Sequence, residues 1–95
     1  MADIIRKHLH FTGWVQGVGF RWRARHAAGA AGTTGWVRNE ADGSVTMELQ
    51  GEPERIDRVI QMIEQGRYIQ IASIDARTVP VLPDERGFSV RDDRW

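Results

Sequence analysis

In this 95-residue chain, apolar residues recur at every second position in some stretches and at every third or fourth in others. The order of those stretches leaves few folds open. From Ile4 to Val15 the chain alternates, with Leu9, Phe11, Gly13 and Val15 on one face and His8, His10, Thr12 and Trp14 on the other. That is the period of a strand. Residues 21 to 31, RWRARHAAGAA, read as a helix whose Ala24, Ala27, Ala28 and Ala31 lie near one face, small enough to sit close on a sheet. Gly29 inside it costs about 1 kcal/mol relative to alanine, and Gly32 is placed to end it. Stretches 34–40 and 44–51 read as strands, the second turning Val45, Met47 and Leu49 inward. The EADG between them marks a hairpin, because Asp-Gly meets the turn's need for positive φ.

The most regular helix is predicted over 52–66. Pro53 suits its first turn, and Glu52, Glu54 and Asp57 complement the positive end of the helix dipole. Ile56, Val59, Ile60 and Ile63 recur at i, i+3, i+4 and i+7, and Gly66 is placed as a stop. Stretch 71–81, with Pro80 near its end, reads as a fourth strand, and 87–92 as a short last one. The order β-α-β-β-α-β plus a terminal strand predicts an α+β, ferredoxin-like split βαβ fold. Its two helices are expected to pack on one face of a mostly antiparallel sheet, with residues 1–95 expected to form a single domain.

Composition narrows function before any motif does. Hydrophobic residues make up 41% and charged residues 27%, and 13 basic against 13 acidic side chains leave no net charge. Such a chain lacks the long-range positive field of a nucleic-acid binder, so an anion site has to be local. The stretch SVTMELQG also lacks the aromatics that an RNA-binding sheet of this topology presents. No cysteine is present, which excludes a disulfide framework, a thiolate nucleophile and a cysteine-ligated metal. The opening MADIIRKHLHF has no signal-peptide apolar run, and no segment is long enough to span a membrane. The expected setting is cytoplasmic.

Two clusters could carry chemistry. GWVQGVGFR (13–21) stands between a strand and a helix. A turn there points unpaired N–H groups at one spot, and the helix N-terminus adds partial positive charge. Gly17 and Gly19 clear the approach, and the planar fork of Arg21 can pair with two phosphate oxygens. It is neither a Walker A loop nor G-x-G-x-x-G. The same glycines also suit a plain tight connection. In GWVRNEADGSV (35–45), Asn39 ends a strand. Its amide can hold a water in one orientation or simply satisfy the hairpin backbone.

Taken together, the two clusters resemble the acylphosphatase family, which is marked by G-x-V-Q-G-V-x-F-R and, later, G-W-V-x-N-x-x-x-G-x-V. Both motifs are complete here, eighteen positions separate Arg21 from Asn39, and the resemblance runs to the terminal GFSVRD. It implies a metal- and cofactor-independent hydrolase that cleaves acyl phosphates to a carboxylate and inorganic phosphate. In that family the amides of Gln16, Gly17, Val18, Gly19, Phe20 and Arg21 and the Arg21 guanidinium would hold the phosphate, and Asn39 would orient the attacking water. The implied partner is the small-molecule substrate, with no nucleic acid or membrane, and the expected state is a monomer. An alternative is a phosphate- or carbamoyl-phosphate-handling domain of the kind found in larger hydrogenase-maturation proteins, which would need a partner.

Departures from the pattern fall on the first helix. Ala24 stands where many members carry threonine, and Ala31 where a larger aliphatic is usual. These predict a cost in packing more than in chemistry, offset in part by Trp22 and Trp36. His8 and His10 share a strand face without a carboxylate or cysteine at ligand spacing, so a zinc site is disfavoured. His26 and the charges at Glu54, Arg55, Asp57 and Arg58 read as helix surface, and Trp95 as a terminal residue.

Overall fold

The computed structural model describes residues 3–91; Trp95 and the last residue of the expected terminal strand lie outside them. The element order is β1 (Ile5–Trp14), α1 (Phe20–Ala31), β2 (Thr34–Asn39), β3 (Val45–Gly51), α2 (Pro53–Glu64), β4 (Gln70–Val79) and β5 (Phe88–Arg91). The strands form one sheet in the order β4-β1-β3-β2-β5. Three pairings are antiparallel and the last, β2 with β5, is parallel. This is the split βαβ arrangement expected from the order of periods.

Both helices bury their apolar stripes on one face of the sheet. Leu9, Phe11, Val37, Val45, Met47 and Leu49 meet Phe20, Ala24, Ala27, Ala28 and Ala31 from α1 and Ile56, Val59 and Ile63 from α2. Ala24 is fully buried and Ala31 is nearly so. A small-residue stripe lets α1 lie close on the sheet. Gly32 closes α1 in the left-handed conformation, with φ 72° and its N–H directed to the carbonyls of Ala28 and Gly29, as helix ends require.

Two sequence expectations change. Gly13 is exposed, unlike Leu9, Phe11 and Val15, with which the alternation placed it on one face. The β1–β4 register steps from Thr12↔Ser73 to Gly13↔Ile71, so Ala72 bulges out of the ladder and the alternation of β1 ends there. Gly66 lies just past the end of α2 rather than at its cap, its N–H bonded to the Ile63 carbonyl at 3.0 Å. The helix ends at Glu64, with Gln65 as its cap in a right-handed conformation. Gly66 instead allows a close approach, because a Cβ there would stand 2.6 Å from Ile69 Cδ1 and 3.0 Å from Arg23 Cδ. That contact holds the chain leaving α2 against α1, where Arg23 Nε also donates to the Met62 carbonyl at 2.6 Å.

The face of the sheet away from the helices carries a charged network. Arg6, only 1% exposed, donates from Nε to Glu48 at 2.6 Å and from Nη1 and Nη2 to the two carboxylate oxygens of Glu85 at 2.7 and 3.0 Å. Nη1 also reaches Gln50 Oε1 at 3.1 Å. Glu85 further accepts from the Thr34 hydroxyl, and Gln50 exchanges hydrogen bonds with both the N–H and the carbonyl of Leu82. The segment after β4 is thereby folded back over the sheet. Burial alone would push the carboxyls of Glu48 and Glu85 up. Hydrogen bonds from His8 and Arg6 on Glu48, and from Arg6 and Thr34 on Glu85, outweigh it and hold both below the usual carboxylate range.

Candidate active site

The strand register brings the two motifs to one end of the sheet. Phe11 pairs with Val45, and Val45 with Asn39, so the three lie in one row across β1, β3 and β2. Phe11 and Val45 face the helices. Asn39 alternates with buried Val37 along β2, which places its side chain on that same face. At the β1 end of the row, the Phe11 ring meets Phe20 edge-on with centroids 4.9 Å apart. Phe20 opens α1, and Arg21 follows it. Adjacent strands lie about 4.8 Å apart, so Asn39 is roughly 10 Å across the row from Phe11.

The connection 15–19 is pinned at three points. The Val15 side chain is fully buried, Val18 packs against the core, and Phe20 is buried in it. Phe20 therefore contributes only its main chain to the open side of the turn. Gly17 and Gly19 take left-handed φ values of 72° and 81°, a conformation costly for other residues. Among the described residues, no N–H from 16 to 22 donates to a protein acceptor; the first such donor is Arg23, to the Gly19 carbonyl at 2.9 Å. No acidic residue sits in the first turn of α1, and no side chain caps it. Unpaired amides around left-handed residues at a helix start form a concavity suited to an anion.

Arg21 is half-buried at this edge, and among the described residues it makes no ion pair. Asn39 is half-buried too, and its Oδ1 is buried without a protein hydrogen-bond partner among the described residues. A buried acceptor normally finds a donor, from protein or from ordered water. Asn39 does not spend its side-chain oxygen on the hairpin. That turn closes through the Glu40 N–H to Ser44 carbonyl bond at 2.9 Å and through the Asp42 carboxylate, which accepts from the Ser44 N–H at 3.0 Å.

Gln16 has a role that the spacing of the motif did not disclose. Its Nε2 donates to the main-chain carbonyls of Glu40 at 2.7 Å and Ser44 at 2.8 Å. The side chain thus ties the glycine turn to the hairpin that begins one residue after Asn39. A glutamine at the head of a glycine turn is the only sequence signal for this, and its partners are 24 and 28 positions away.

The remaining candidates lie elsewhere. His8 Nδ1 is 2.6 Å from Glu48 Oε2 on the opposite face of the sheet, and His26 lies against exposed Trp22 with ring centroids 4.0 Å apart and planes tilted by 37°. Among the described residues no three His, Asp or Glu side chains gather to hold a metal. Trp36 is 7% exposed on the face opposite the helices, with Arg38 and Arg91 over its ring. No described helix is long and apolar enough to cross a membrane.

Comparison with known proteins agrees with this fold. The family model described as acylphosphatase matches residues 7–90. An acylphosphatase of Bifidobacterium longum is 37% identical over 92 residues, covering 95% of each chain. The structure of an acylphosphatase from Coxiella burnetii superposes with a TM-score of 0.85 at 29% identity, covering 94% of each chain. Full-length HypF in its phosphate- and nucleotide-bound form gives a TM-score of 0.85 at 26% identity; the match covers 99% of this chain but 13% of that one. With two complete motifs, the fold and matches along nearly its whole length, the chain belongs to the acylphosphatase family of enzymes.

Proposed function

We propose that this chain hydrolyses acyl phosphates to a carboxylate and inorganic phosphate, holding the phosphate in the 16–21 turn and delivering water from Asn39. The observation that carries this reading is the pairing of a turn of unpaired amides with a buried, partnerless Asn39 Oδ1 at the same end of the sheet.

The phosphate sits against the amides of Gln16, Gly17, Val18, Gly19, Phe20 and Arg21. The Arg21 guanidinium closes over two of its oxygens, as its planar fork allows. Fixed N–H dipoles at the start of α1 stabilise charge on the equatorial oxygens without reorganising during the reaction. Asn39 Oδ1 accepts a hydrogen bond from a water and turns its lone pair towards phosphorus. Water attacks phosphorus, the bond from phosphorus to the bridging oxygen breaks, and the acyl group departs as a carboxylate. The proton from water passes to the phosphate oxygens. A carboxylate leaves without being protonated, and a loose phosphoryl transition state asks little of the nucleophile, so positioning and electrostatics carry the rate.

The test is phosphate release from benzoyl phosphate by purified protein in the presence of a chelator. Turnover well above the uncatalysed rate is expected. A folded protein that releases none would contradict the reading.

A further inference from the structure

A groove of about 500 Å³ opens beside the glycine turn, walled by Trp14, Gly17, Gly19, Arg67, Tyr68 and Gln70. A glycine can line a groove only with its main chain, so the turn itself is one wall. A Cβ added at Gly17 or Gly19 would meet nothing within 4 Å. The aromatic part of the wall comes from two large side chains left open, Trp14 at 66% and Tyr68 at 67% exposed. Neither ring pairs with another among the described residues. The ladder sets their places: Trp14 pairs with Gln70, so Tyr68, two residues earlier, comes level with the point where β1 gives way to the turn. Aromatic walls with a few polar groups, here Arg67 and Gln70, are the usual make-up of a small-molecule pocket.

We infer that Trp14 and Tyr68 form a subsite for the acyl group and select acyl phosphates whose acyl group is flat and aromatic. The inference rests on the acyl-phosphate reading above. With phosphate held by the turn, the acyl group hangs from the bridging oxygen beside that turn, and the groove shares the turn as its wall. A planar acyl group can lie against an indole or phenol face, an arrangement favoured by stacking. An acetyl group has no ring to stack on either side chain.

The experiment compares kcat/KM on benzoyl phosphate and on acetyl phosphate for the wild type, Trp14→Ala and Tyr68→Ala. The wild type favours benzoyl phosphate. Each substitution lowers the benzoyl-to-acetyl ratio by about two- to tenfold, the range expected for one aromatic contact, while Trp14→Phe keeps most of it. A ratio left unchanged by both alanine variants would overturn the subsite while leaving the hydrolase reading intact. A wild type that turns over neither substrate would overturn both.

Discussion

Gln16 Nε2 lies 2.7 Å from the Glu40 carbonyl and 2.8 Å from the Ser44 carbonyl, so one side chain ties the glycine turn to the hairpin that follows Asn39. Gln16→Ala removes both bonds, and each carbonyl keeps only its backbone donor, the Gly43 N–H at 3.2 Å for Glu40 and the Glu40 N–H at 2.9 Å for Ser44. Each bond is worth about 0.5–1.5 kcal/mol, so chemical denaturation should show a loss of about 1–3 kcal/mol. Because the turn is then free to shift from Asn39, kcat/KM on benzoyl phosphate should fall by more than this loss of stability explains, under conditions where the variant is fully folded.

Arg6→Met tests the network on the far side of the sheet. It removes the guanidinium shared by Glu48 and Glu85, leaving Glu48 with His8 and Glu85 with only the Thr34 hydroxyl. Breaking such a cluster from one side costs about 3–5 kcal/mol. The urea midpoint should drop accordingly, and Arg6→Lys should recover little, since an ammonium cannot meet Glu85 with two parallel bonds.

The same network fixes the acid limb of stability. Glu48 and Glu85 are held below the usual carboxylate range in the folded chain. Their contribution is therefore complete above the unfolded value, about 4.3 for glutamate. It is lost as pH falls through the lower folded value, where protonation drives unfolding. Urea titrations from pH 7 down to pH 3 should show stability falling steadily below about pH 5. In Glu85→Gln that slope should be shallower and the stability at pH 7 lower.

The Arg6 network also marks where sequence reading stops. The order of elements was legible because each period is local, as in Ile56, Val59 and Ile63 along α2 and Val45, Met47 and Leu49 along β3. Arg6 gave no such signal: its partners are 42, 44 and 79 positions away, and only the return of the segment after β4 brings Glu85 over the sheet. The bulge at Ala72 is equally non-local, since it exists only in the pairing of β1 with β4. At the candidate site, the main-chain parts were visible through Gly17 and Gly19, whose conformation depends on their own residue type. Gln16 as a tether and Asn39 Oδ1 without a partner were not visible, because both are relations to another segment of the fold.

The division of labour between Arg21 and Asn39 is tested most directly by measuring, for Arg21→Ala and Asn39→Ala, both kcat on benzoyl phosphate and the inhibition constant of inorganic phosphate. Arg21→Ala should weaken phosphate inhibition strongly and depress the rate. Asn39→Ala should lower kcat by about 10² to 10³, the loss typical of one positioned polar group, while phosphate inhibition stays within about twofold of the wild type, below 1 kcal/mol. An Asn39→Ala variant that loses phosphate affinity and rate in equal measure would contradict the account.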